Sequence, residues 1–286
     1  MENTWIKGKT CLITGANTGI GKETALILAE MNARVIMVCR NREKGELAKN
    51  EILEATGNQN IELFLCDLSS LQDVKRFSEE FLQSHSELHV LINNAGVFKM
   101  QREESKDGYE LMFAVNYLAH HYLTNQLLPL LKKSTPSRIV NLSSDMHKFL
   151  KIKLDDVMLE KRYSGQQAYS NSKTAMVLFM YKLERELQGT GVSVFAVNPG
   201  HAKTQMTTTG MPKWFIKISN LIPNRRTVKD AATASVYAAS DDTLDGITGK
   251  YFTDKKETKT AKMTKDPKNQ DYLWDLSNKL VDDILK

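Results

Sequence analysis

Tyr169 and Lys173 stand four residues apart in "QQAYSNSKTAM", at the start of what reads as a long helix. Four residues is about one helical turn, so both side chains leave the same face. A phenol beside an ammonium is either an ordinary surface pair or an acid whose proton has become easier to move. A second Tyr-x-x-x-Lys, Tyr251 with Lys255, comes at the last strand-like run and has no evident polar partner upstream, so it is set aside. Tyr169 has better company. Ser144 closes the apolar run "RIVNLSS", Asn116 lies inside "FAVNYLAHH", and "NNAG" at 93–96 ends another apolar run.

The elements that would bring these residues together are legible as an alternation. Short apolar runs begin at Thr10, Ala33, Ile61, Leu88, Arg138, Val192 and Gly249, and helical patterns separate most of them. The runs are near-continuously apolar, as expected of strands covered on both faces. Repeated strand-helix units with right-handed crossovers give an α/β fold with a Rossmann-type, doubly wound parallel sheet of about seven strands. No Pro-, Gly- or Ser-rich linker divides the chain, so 1–286 is expected to be one domain.

Between the first strand and the first helix stands "TGANTGIG", residues 14–21. Gly15, Gly19 and Gly21 permit a tight turn, and the helix N-terminus offers unpaired N–H groups to a pyrophosphate. That context points to a dinucleotide, although the spacing is G-x-x-x-G-x-G rather than G-x-G-x-x-G. A carboxylate at the end of the second strand would bind the ribose 2′-hydroxyl of NAD. This chain has Arg40 there, with Arg42 and Lys44 nearby. A guanidinium can pair with the 2′-phosphate of NADP, so NADP(H) is expected over NAD(H) unless Arg40 is only a solvated strand-end arginine. Asp67, after the third strand, would accept from the adenine amino group or cap the next helix.

The bulk numbers exclude several classes. Hydrophobic content of 41%, charged content of 26% and a net charge of +5 describe an ordinary globular chain. The Lys-rich stretch 255–268 lacks aromatic interleaving, so it reads as a solvated loop and no nucleic-acid partner is expected. Cys11, Cys39 and Cys66 lack ligand spacing and read as reduced core thiols. The six histidines show no ligand spacing either, and no metal is expected. No run approaches the ~20 apolar residues of a membrane helix and no signal peptide is visible, so a cytoplasmic location is expected.

Taken together, TGANTGIG, CDL, NNAG, the Asn of VNYLAHH, NLSS, YSNSK and NPG resemble the short-chain dehydrogenase/reductase family over nearly the whole chain. "CRNREKGE", "LHVLINNAGV", "EKRYS" and "GKYFTD" look most like its retinol dehydrogenase branch. The resemblance implies an oxidoreductase of the carbonyl reductase type. Tyr169 would be general acid in reduction and base in oxidation. Lys173⁺ and the oxidised nicotinamide would lower a phenol pKa that is ordinarily about 10, and Lys173 would hold the nicotinamide ribose. Ser144, chosen over Ser143, would hydrogen-bond the substrate oxygen. Asn116 would hold a water on the proton path or merely bend its helix. Asn17, Thr18 and Ile20 would join the glycines around the cofactor, with Asp67 and Leu68 at the adenine. Asn94, Ala95 and Gly96 would border the ribose. Pro199, Gly200 and Thr204 would frame the nicotinamide, or be plain turn chemistry.

The segment of about 201–227, with Met206, Met211, Trp214 and Phe215, reads as an apolar substrate lid, suited to a lipophilic aldehyde, ketone or alcohol. The same residues could cover the core or lie on a membrane surface. His201 and Lys203 would narrow the substrate range. A C-terminal helical extension is expected over about 268–286, and family members suggest a homodimer through the Tyr169 helix and the helix near residue 230. An NAD-dependent dehydrogenase of a polar alcohol and a non-catalytic cofactor-binding sensor remain as alternatives.

Overall fold

The computed structural model describes residues 4–200 and 226–286. Its eight-stranded sheet has the order β3-β2-β1-β4-β5-β6-β7-β8, with β1 Thr10–Thr14, β2 Arg34–Cys39, β3 Ile61–Leu65 and β4 Val90–Asn93. β5 is Ser137–Leu142, β6 Val192–Asn198, β7 Lys250–Thr253 and β8 Lys256–Glu257. The first seven pair in parallel, and β8 is a two-residue antiparallel addition to β7. The strand order reverses between β1 and β4, so a crevice opens at their carboxyl ends. The Lys-rich stretch is thus more than the solvated loop expected. It holds β8, a 3₁₀ turn Lys262–Lys265 and the start of a helix.

Two apolar layers sandwich the sheet, which is why its strands lack polar alternation. One packs α1 (Gly19–Glu30), α2 (Arg42–Thr56) and the helix Val228–Ser240 against one face. The other packs α3 (Leu71–Ser84), the helical rod containing Asn116, and the Tyr169 helix (Gly165–Glu186). The rod is three abutting pieces: Leu111–Phe113, a π turn Ala114–Leu118, and Ala119–Lys133.

On the second face each central strand becomes polar at its carboxyl end: Thr14, Asn93, Asn141, Asn198 and Thr253. Their parity matches Leu12, Leu91, Ile139, Ala196 and Tyr251, which belong to that face's core. The row forms a polar floor beneath the crevice.

The C-terminal helix (Pro267–Leu285) lies across the Tyr169 helix. Trp274 stacks on Phe179 at 6.0 Å, Tyr117 Oη and Ser277 Oγ are 2.8 Å apart, and Lys182 donates to Asp271 at 2.9 Å. The protein's own C-terminus thus covers the stretch of the Tyr169 helix around Phe179 and Lys182.

Candidate active site

The glycine turn leaves β1 with Gly15 at φ +68° and Gly19 at φ +55°, conformations that disfavour a side chain. A Cβ on Gly21 would lie 2.4 Å from the Gly15 carbonyl oxygen and 2.3 Å from Asn94 Nδ2, so only hydrogen fits. Thr18 precedes α1 without capping it by its side chain, so first-turn N–H groups face the crevice without a side-chain partner. Asn17 and Ile20 lie in the same turn and helix start. This cradle fits a dinucleotide pyrophosphate.

Asn94 fastens the turn from β4, donating from Nδ2 to Thr14 O at 2.6 Å. Thr14 Oγ1 accepts from the Asn94 and Ala95 N–H groups at 2.9 and 3.0 Å. With two donors arriving, the Thr14 hydroxyl has its own proton to give, and of the two acceptors in reach, His120 Nε2 at 2.9 Å and Ile92 O at 3.4 Å, the imidazole is the nearer. His120 Nδ1 then donates to the Asn116 carbonyl at 3.2 Å. Burial pushes the His120 pKa down to about 3, so the ring is neutral, as this arrangement requires. The cofactor turn and the π turn of Asn116 are thereby joined through one imidazole. Neither Thr14 nor His120 stands out in the sequence as part of such a link. Its lone signal was a polar residue closing an apolar strand.

Arg40 is exposed just past β2. The Cys66 N–H donates to Cys39 O at 3.0 Å, so Asp67 leaves the sheet beside Arg40. Asp67 does not cap α3, because Ser70 does, accepting from Asp73 N at 3.3 Å. Asp67 Oδ1 accepts from Ser69 N and Oγ at 3.1 and 2.8 Å, and Lys106 Nζ stands 3.0 Å from its Oδ2. Burial works against its ionisation, but the bonds from Lys106 and Ser69 outweigh this and hold the carboxyl below the usual range. Leu68 beside it is buried.

Tyr169, Ser144 and Lys173 meet at the carboxyl edges of β5 and β6. Ser144 hydrogen-bonds the Tyr169 phenol. Ser143 turns inward instead and donates to Lys173 O at 2.7 Å. Lys173, 3% exposed, donates from Nζ to Leu142 O at 2.9 Å and lies 5.7 Å from the centre of the Tyr169 ring. With so little water around it, the ammonium pKa is lowered to about 8. The expected lowering of the phenol pKa is absent from the protein alone. Burial raises it to about 12, and the Ser144 bond offsets only part of that.

The Asn116 side chain bridges two elements. Its Oδ1 accepts from Val97 N at 2.7 Å, and its Nδ2 donates to Val97 O and Ser172 Oγ, both at 3.0 Å. The side chain thus locks the exit of β4 to the Tyr169 helix. Gly96 passes so close that an added Cβ would be 3.2 Å from Asn116 Oδ1 and 3.6 Å from Lys173 Nζ.

Pro199 and Gly200 follow β6, where Asn198 Oδ1 accepts from Gly200 N at 3.0 Å. Arg226 packs on Gly200, which has φ +71°, and pairs through both guanidinium arms with Asp254 beyond β7, one arm at 2.7 Å. Nothing in the sequence singled Arg226 out. Thr204, His201, Lys203 and nearly all of the expected lid lie outside the described residues. Tyr251 requires a correction: it does have upstream polar partners. Its hydroxyl approaches Asp145 Oδ1 at 3.5 Å and also bonds Ser143, and burial pushes its pKa up. Lys255 lies in the turn between β7 and β8, so the pair shares no helix face.

Among the described residues, no group of three His, Cys, Asp or Glu is gathered as a metal site. Among those residues, too, no helix is long and apolar enough to cross a membrane.

A family model described as short chain dehydrogenase matches residues 9–213. Human retinol dehydrogenase 12 is 40% identical over 98% of this chain and 88% of its own length. Human retinol dehydrogenase 14 is 39% identical over 96% and 86%. Among solved structures, a protein from Mycobacterium paratuberculosis superposes with TM-score 0.79 at 32% identity, covering 97% of this chain and 94% of that one. A short chain dehydrogenase from Shigella flexneri complexed with NADP superposes with TM-score 0.71 at 26% identity, covering 89% and 100%.

Proposed function

Because the chain belongs to the short-chain dehydrogenase/reductase family, on its retinol dehydrogenase-like branch, we propose that it is an NADP(H)-preferring oxidoreductase interconverting a lipophilic aldehyde or ketone with its alcohol. The observation that carries this reading is the meeting of Tyr169, Ser144 and Lys173 beside the glycine cradle.

Gly15, Asn17, Thr18, Gly19, Ile20 and Gly21 would hold the pyrophosphate, with Asn94, Ala95 and Gly96 at the ribose and Pro199 and Gly200 at the nicotinamide. When bound, the nicotinamide supplies or accepts the hydride, and the chain's own groups manage the proton. Ser144 and Tyr169 donate to the substrate oxygen and stabilise the charge that develops on it. Tyr169 then passes its proton to that oxygen. Lys173 stands under the phenol as a dry cation, where its charge favours the phenolate left behind. In oxidation the same phenolate takes the alcohol proton. Asn116 acts here by positioning, since it holds Gly96 and Val97 against the Tyr169 helix.

A lipophilic substrate is favoured by the surroundings of Tyr169. Phe98 meets its ring edge-on at 5.4 Å, within a small apolar cluster that includes Val97, Met112 and Leu159. Met100 and Phe149, on segments that pack against this end of the helix, are 54% and 75% exposed. Exposed apolar side chains next to a polar catalytic group suit an apolar ligand. The NADP preference rests on Arg40 and on the NADP and NADPH complexes of similar structures.

Turnover of aldehydes graded from short and polar to long and apolar, with NADPH and with NADH, tests both halves. Long apolar aldehydes with NADPH should give the highest kcat/KM. Equal use of NADH would remove the NADP preference, and a best substrate among the short polar aldehydes would remove the lipophilic one.

A further inference from the structure

Arg40 is not alone at the adenine end of the crevice. The loop between β4 and the Asn116 rod is fastened over it. Lys106 N donates to Ser69 O at 2.9 Å, and Asp107 Oδ2 accepts from Leu71 N at 2.8 Å, which ties the loop to the start of α3. Ser105 Oγ accepts from Tyr109 N at 3.2 Å, and Gly108 turns at φ +80°. So held, the loop sends the Lys106 side chain across to Asp67, with Nζ 3.0 Å from Oδ2. Lys106 is 65% exposed while the Asp67 side chain is 15% exposed. Such a half-solvated pair adds little to folding stability.

Its consequence is electrostatic. Asp67 follows Cys66, whose N–H bonds Cys39 O, so its backbone leaves the sheet beside that of Arg40. Left bare, the Asp67 carboxylate would attract the guanidinium and repel a phosphate approaching it. NADP differs from NAD by one such phosphate, carrying up to about two negative charges near neutral pH, as phosphate monoesters do. The Lys106 ammonium is held above its ordinary range by Asp67 and also feels Arg40 as an opposing positive charge, which places the three groups in one neighbourhood.

We propose that Lys106 is a specificity-determining residue, which masks Asp67 and so lets the Arg40 region accept a 2′-phosphate. Masking one negative charge changes the energy of an anion in direct proportion to the anion's charge. The effect therefore falls on NADP far more than on NAD, and salt weakens it. The inference rests on the NADP(H) preference argued above and adds a second residue to it.

Equilibrium titrations of the full chain with NADP⁺, NAD⁺, 2′,5′-ADP and 5′-AMP, followed by isothermal calorimetry, separate the two. Lys106→Gln should raise the Kd of NADP⁺ and of 2′,5′-ADP about fivefold, while NAD⁺ and 5′-AMP shift less than about twofold. Lys106→Arg should restore the wild-type values. The difference should shrink at about 0.5 M salt, where screening falls to a few ångströms. In an Asp67→Asn background the exposed Lys106 ammonium loses the carboxylate that holds it near the site, so Lys106→Gln should have a smaller further effect on the NADP⁺ to NAD⁺ ratio. An unchanged ratio in Lys106→Gln, or an equal loss for all four ligands, overturns the masking role. Arg40→Gln reads the underlying preference independently. If it abolishes selectivity while Lys106→Gln does not, the Lys106 inference fails and the NADP reading stands. If the wild type does not discriminate at all, the NADP reading itself fails.

Discussion

The two halves of the crevice are built from different materials. On the pyrophosphate side, chemistry belongs to the backbone: glycines at positive φ, the free N–H groups of α1, and a carbonyl gripped by Asn94. Side chains there act as fasteners. On the Tyr169 side the backbone is the fastener and side chains carry the chemistry. Leu142 O holds Lys173, Lys173 O holds Ser143, and Val97 holds Asn116. One half needs the absence of atoms, and the other needs titratable groups at set distances in a nearly dry space. His120 ties them together, bonding Thr14 of one and the Asn116 carbonyl of the other.

Substitutions that damage one half alone test this division. The largest effect is expected from Tyr169→Phe. It removes the phenolic proton and leaves the cradle untouched, so turnover should fall about a thousandfold with cofactor Kd changing less than about threefold. Steady-state kinetics beside a cofactor titration reads both, and surviving turnover would remove Tyr169 from the chemistry. Gly21→Ala should do the reverse. Its Cβ would sit 2.4 Å from a backbone oxygen, so the turn must open. Overpacking of this kind costs about 1 to 3 kcal/mol, which at the cofactor site should weaken both cofactors by roughly ten- to a hundredfold. An unchanged Kd would show that the turn does not need to be so tight.

The smallest effect concerns stability and has an unusual sign. Lys173 titrates at about 8 instead of 10.5, because burial disfavours its charge. Between those values the unfolded chain holds the proton that the folded chain has lost, so wild-type stability rises with pH there. Below pH 8 the folded protein carries the full cost of a buried cation. Lys173→Met should therefore be inactive yet more stable at pH 7, by about 2 kcal/mol. That advantage should fade between pH 8 and 10.5. Chemical denaturation across this range measures it, and a variant less stable at pH 7 would mean that the Leu142 bond outweighs the burial.

Much of this arrangement is visible along the chain. The apolar runs give the strands, and the glycines between β1 and α1 mark the cradle. Ser144, Tyr169 and Lys173 stand at the ends of elements that a doubly wound sheet brings together. Other features stay hidden. That Ser143 donates to the Lys173 carbonyl while Ser144 meets Tyr169 depends on where the Tyr169 helix lies against the end of β5. The upstream partners of Tyr251 come from the end of β5, Asp145 being 106 residues earlier in the chain. Asp67 reads as a helix cap or an adenine ligand; Ser70 takes the cap, and a cation that the sequence does not point to, Lys106, arrives at Asp67 from a loop after the next strand.

The sequence by itself determined the order of elements, the turn that only glycine can make, and which titratable residues reach the crevice. These follow from local sterics and from periodic burial, which neighbouring residues encode. The tertiary structure alone decided which charges those residues meet and how dry they are. It raised the phenol pKa, lowered that of Lys173, made His120 a neutral link and set Lys106 on Asp67. Proton affinities depend on dielectric and on neighbours within a few ångströms, and those neighbours are distant in the chain.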